Sequence, residues 1–138
     1  MNIFEKNLKK VYISGGISGI ENGNRAAFKK AYDKLKELNF EPVNPHDLFS
    51  EEEVSDINNR IEKKEITEEE AWCIFMKRDI QHLVQCEFVA VLPYWESSSG
   101  ANVELAIAKS LKMPIVRADN LQEITHNINF SINKFQKL

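Results

Sequence analysis

Phe88-Val89-Ala90-Val91-Leu92 is an unbroken apolar run closed by Pro93. A strand with one wet face alternates apolar and polar residues, whereas a continuous run of this kind suits a strand covered on both faces. Such a strand belongs in a parallel sheet, and parallel pairs need long crossovers, usually helices, on either side of it. The remainder of the chain supplies these parts. Val11-Tyr12-Ile13-Ser14 reads as a first strand ended by Gly15-Gly16, Phe40 to Val43 as a second stopped by Asn44-Pro45, and Met113-Pro114-Ile115-Val116 as a fourth. A helix is predicted from about Asn24 to Leu38, with Phe28, Ala31, Leu35 and Leu38 at helical spacing. Thr67 with Glu70 makes a capping box that opens a second helix to about Gln85, its apolar stripe being Trp72, Phe75, Met76, Ile80 and Leu83. A third runs from about Ala101 to Lys112, and the tail from Leu121 is helical by the spacing of Ile124, Ile128 and Ile132. Residues 46–66, acidic and then basic, are expected to be the least regular part, a short helix or two with a mobile connection.

The fold class expected is α/β: one Rossmann-like (flavodoxin-like) domain over residues 1–138, a parallel sheet of four to five strands with helices on both faces. Its length suits one domain with a proper core. With 18 basic and 21 acidic residues the net charge is −3, which speaks against binding a nucleic acid polymer through bulk positive charge. Apolar runs such as Phe88–Leu92 fall far short of the roughly 18 residues a membrane span needs. After Lys6, Lys9 and Lys10 only Val11-Tyr12-Ile13 precedes polar and glycine residues, too short an apolar core for a signal peptide. Cys73 and Cys86 form no framework and read as small buried hydrophobes in a reducing compartment, so a cytoplasmic location is expected. His46, His82 and His126 lie 36 and 44 residues apart, without ligand spacing, and no metal site is expected.

Two acids interrupt apolar helix faces. Asp79 follows Met76 by three and Phe75 by four positions and precedes Leu83 by four; Glu104 follows Ala101 by three and precedes Ala108 by four. Both therefore point inward, where a carboxyl is costly without a partner or a cavity. Arg78 is the obvious partner if Asp79 is merely structural. Glu104, in the first turn of its helix, is expected to be ionised by the macrodipole and able to act as a nucleophile. Asp79, late in its helix, is the better holder of a proton. The pair matches the division of labour in retaining glycoside hydrolysis.

In a doubly wound sheet ligands sit at the carboxyl ends of the strands, which gathers Ser14-Gly15-Gly16, Asn44 and the 93–100 loop. Ser14-Gly15-Gly16-Ile17-Ser18-Gly19 permits close backbone approach to a ligand but is neither a dinucleotide fingerprint nor a P-loop. Ser98, Ser99 and Gly100 offer hydroxyls and helix N-terminal N–H groups to an anion or a sugar, or Ser98 or Ser99 is an ordinary N-cap. Tyr94 and Trp95 can stack on a flat base or simply pack.

Taken in order, Tyr12-Ile13-Ser14-Gly15, Asn44-Pro45, Met76-Lys77-Arg78-Asp79-Ile80, Leu92-Pro93-Tyr94-Trp95 and Ser98-Ser99-Gly100-Ala101-Asn102-Val103-Glu104 resemble the nucleoside 2-deoxyribosyltransferase superfamily. Within it the likeness is to an uncharacterised bacterial and phage branch related to the 2′-deoxynucleoside 5′-phosphate N-hydrolases. The resemblance spans roughly residues 11–116. It implies that Glu104 is the nucleophile at the anomeric carbon, Asp79 the acid that assists the leaving base, and Tyr12 a neighbour of the nucleophile. It further implies that Ser98 contacts substrate, through phosphate in the monophosphate hydrolases, and that the first-loop glycines line sugar and phosphate. The substrate implied is a small nucleotide or nucleoside, with no cofactor and a homodimer or higher homo-oligomer as the working unit. The chain departs from the relatives at Ser18, often arginine in the hydrolases, and at Gly16, usually proline in the uncharacterised branch. Transferases tend to carry an acid where Ser98 stands, which favours a nucleotide over a free nucleoside.

Overall fold

The structure is a computed structural model that describes residues 9–124. Four strands, β1 (Lys10–Ser14), β2 (Glu41–Val43), β3 (Phe88–Val91) and β4 (Ile115–Arg117), form one sheet in the order β2-β1-β3-β4, and every pair is parallel. Successive residues of a strand point to opposite faces, and the core divides accordingly. Val11, Ile13, Ala90 and Leu92 pack with Phe28, Ala31 and Leu35 of α1 (Arg25–Glu37) on one face. Tyr12, Val89 and Val91 pack with Leu83 of α3 (Glu68–Leu83) and Leu105 and Ala108 of α4 (Ser99–Ser110) on the other. The expected sheet with helices on both faces is the one found.

The chain leaves β1 for β2 on one side and later enters β3 on the other, so the strand order reverses between β1 and β3. Ser14 pairs with Val91 at the carboxyl end of that junction, the place where open α/β sheets bind ligands.

Several local expectations change. Residues 46–66 are not irregular: after a 3₁₀ turn at Pro45–Asp47, α2 (Glu51–Glu62) is a regular helix. Its reciprocal capping box, Ser50 with Glu53, is the same signal that Thr67 and Glu70 give α3. Val54, Ile57 and Ile61 give α2 an apolar stripe at helical spacing, although only Ile57 is buried. The start of the expected terminal helix is not helical: Leu121 is left-handed at φ 59° and Glu123 bridges Val116 antiparallel, while Ile128 and Ile132 lie outside the described residues. Trp72 is 37% exposed and stands outside the core stripe predicted for it. Of the two cysteines, Cys86 is buried as expected and Cys73 is exposed. Among the described residues no helix is long and apolar enough to cross a membrane.

Candidate functional site

Glu104 enters from α4 and meets β1. The Tyr12 hydroxyl donates to its Oε2 at 2.6 Å and the Ser14 hydroxyl to its Oε1 at 2.7 Å. The alternation of β1 makes this possible, because Tyr12 and Ser14 are two residues apart and share the face that α3 and α4 cover. Asp79 comes from α3 toward the same place. The two carboxyls are 4% and 8% exposed, and with Ser14 they are the buried polar residues among those described. Both line a cavity of about 700 Å³ at the carboxyl end of the sheet.

Burial dominates their electrostatics. It pushes the Glu104 carboxyl up to about 8, against the two hydroxyl donors, while the nearby Asp79 raises it further. Burial likewise pushes Asp79 up to about 7, and the positive charge of Arg78 offsets only part of that. The expectation that the helix dipole would ionise Glu104 is therefore corrected. Helix α4 begins at Ser99, two residues earlier than expected, which puts Glu104 in the second turn, where the dipole has faded. Tyr12 is raised well above its ordinary value by burial and then by the Glu104 charge, so it stays a protonated donor.

Arg78 is not the partner of Asp79. Its guanidinium donates to Glu53 at 2.7 Å and to the Leu48 carbonyl at 3.0 Å and lies over the Phe49 ring. Among the described residues nothing hydrogen-bonds to the Asp79 carboxyl.

Gly15, Ser18, Ser98, Ser99 and Gly100 line the cavity with the two acids. Gly15 answers a packing demand as well, since a Cβ there would sit 2.7 Å from the Leu92 side chain. Ser98 is the N-cap of α4, its hydroxyl accepting from the Ala101 N–H at 3.1 Å, and it faces the cavity too. Ser14, Gly16, Asn44 and Trp95, expected to bind substrate, are not among the cavity-lining residues, and Ser14 is fully buried against Glu104. The Gly16 carbonyl accepts from Asn24, and the Asn44 side chain accepts from the His46 N–H. Trp95 is buried beside a separate hollow of about 210 Å³, next to the 85% exposed Tyr94.

The sequence reading missed His46, Arg25 and the apolar wall of Phe49, Trp72, Phe75 and Met76. His46 donates from Nε2 to the Gly23 carbonyl at 2.8 Å, and burial lowers its pKa, which leaves it neutral with Nδ1 an acceptor. The signal for it was positional, as Asn44-Pro45-His46 directly follows the carboxyl end of β2. No group of three or more His, Cys, Asp or Glu side chains among the described residues converges to hold a metal ion.

A model of a domain of unknown function, DUF4406, matches residues 9–117. No curated protein matches the chain. Among solved structures, a 2-deoxyribosyltransferase from the psychrotolerant bacterium Bacillus psychrosaccharolyticus is similar, with a TM-score of 0.52 and 17% identity over 78% of this chain and 70% of that one. At that identity the likeness is one of fold, and the fold is the one the sequence resemblance implied.

Proposed function

We propose that this chain, which belongs to the DUF4406 family, is an N-glycosidase that cleaves the base–sugar bond of a nucleoside 5′-monophosphate or related nucleotide. The observation that carries the reading is the fixed Glu104 carboxyl, gripped by Tyr12 and Ser14 at the floor of the cavity that it shares with Asp79. In the first step a Glu104 oxygen forms a bond to the anomeric carbon while the bond to the base nitrogen breaks. The departing electron pair goes to the base, which receives the Asp79 proton directly or through a water. Positive charge grows on the sugar in that transition state and favours the ionised form of Glu104. Water then attacks the anomeric carbon, gives its proton to Asp79 and releases Glu104. Ser98, Ser99 and the first-loop backbone hold phosphate or sugar hydroxyls.

The shared fold of a 2-deoxyribosyltransferase supports a second reading, in which another base rather than water resolves the glycosyl-enzyme. Exchange of base when free base is added in excess separates the two. A homodimer belongs to the same proposal, and sedimentation at micromolar protein giving only the 15.9 kDa monomer counts against it. The central experiment is mass-spectrometric detection of free base from a mixed pool of nucleoside 5′-monophosphates. Release by the wild type and none by Glu104→Gln is expected; equal release by both overturns the assignment, and bound nucleotide without release by either makes the protein a sensor or sequestering protein.

A further inference from the structure

Arg78 stands next to a buried acid and turns its back on it. Its guanidinium carbon lies 3.9 Å from the Phe49 ring centroid, and Phe49 meets Phe75 edge-to-face at 4.9 Å. The same guanidinium ties down the chain on both sides of that ring through the Leu48 carbonyl and Glu53. Helix α2 has a single buried side chain, Ile57, and Arg78 ties Leu48, Phe49 and Glu53 to α3.

Phe49, Val54, Trp72, Phe75 and Met76 line the same cavity as Asp79, Glu104 and the serines. Aromatic and apolar side chains suit a flat heterocycle, and the serines and acids suit a sugar with its phosphate. Every nucleobase has a π-face, so ring stacking accepts a base without reading its edge.

We propose that Arg78 is a positioning residue for the leaving base: acting through Phe49, it sets the aromatic wall against which the base stacks. This rests on the N-glycosidase reading for its purpose, but not for its test. An Arg–Glu pair at this half-buried site contributes little to stability when it acts alone. The stacked ring and the carbonyl contact give it a geometric task, and lysine cannot reproduce the planar fork.

The test titrates adenine and, separately, ribose 5-phosphate into the full chain and follows Trp72, which lines the cavity, by fluorescence. Phe49→Leu fills the space without a ring and should weaken adenine by about tenfold or more, whereas Phe49→Tyr keeps the ring and the affinity. Arg78→Met should give a loss of similar size, Arg78→Lys should restore only part of it, and Phe49→Leu/Arg78→Met should be no weaker than Phe49→Leu alone. Ribose 5-phosphate should bind all variants alike. Additive losses in the double variant overturn the proposal, because Arg78 then does not act through Phe49. So does adenine binding that ignores Phe49, or a wild type that binds no adenine. If adenine follows the expected pattern while the wild type releases no base from any nucleotide, the positioning role stands and the N-glycosidase reading falls. If base is released and Phe49→Leu leaves KM unchanged, the reading stands and the positioning role falls.

Discussion

Glu104 accepts two hydroxyl hydrogen bonds from β1, whereas Asp79, nearly as buried and lining the same cavity, accepts none among the described residues. The first carboxyl is fixed in position; the second is free to exchange a proton with whatever enters. An attacking atom gains from fixed geometry, since a misplaced nucleophile loses the advantage of proximity. An acid gains from a pKa near the working pH and an open path for its proton. Similar burial with different tethering is the basis for giving these two acids different tasks.

The largest effect should come from the fixed acid. Glu104→Gln keeps the shape and cannot form the ester, so base release should fall by about a thousandfold or more. Because the amide carries no buried charge, the variant should melt no lower than wild type at alkaline pH; a large drop in Tm would make Glu104 structural. Asp79→Asn should cost less, about a hundredfold, and should remove the alkaline limb of the kcat/KM profile. That limb exists because the working form keeps its proton on Asp79 and has lost the one on Glu104. With Asp79 at about 7 and Glu104 at about 8 in the free protein, the maximum should lie between them as a property of the pair.

Tyr12→Phe removes a donor that lowers the Glu104 pKa; because Glu104 titrates after Asp79, the alkaline break should move to higher pH and the maximum should fall, and a profile that does not move separates the hydroxyl from the carboxyl. The smallest effect is on stability. Both carboxyls titrate higher in the folded protein than in the unfolded chain, so their contribution is full below about pH 4 and is lost as pH rises through about 7 and 8. Tm should therefore fall between about pH 5 and about pH 9, and less steeply in Glu104→Gln. A flat wild-type curve contradicts the burial of the pair.

The inward acids were legible because their spacing to Met76, Leu83, Ala101 and Ala108 is local. So were the strands and the α3 capping box. The partner of Arg78 was not, since Glu53 lies 25 residues away on a helix that buries a single side chain. The protonation of Glu104 was not legible either: dipole and burial oppose each other, and sequence position gives the first while only depth in the fold gives the second. The aromatic wall escaped for a related reason. Helical periodicity assigned Trp72 to the core, but the rim of a cavity and the core of a domain present the same apolar stripe.

The assignment of the two acids is tested most directly by trapping. A nucleoside 5′-monophosphate with fluorine at the 2′ position slows breakdown of a glycosyl ester, and intact-mass spectrometry followed by peptide mapping locates the adduct. The account predicts one sugar phosphate per chain on Glu104, formed with release of base and absent from Glu104→Gln. Release of base with no adduct, or an adduct on Asp79, would contradict it.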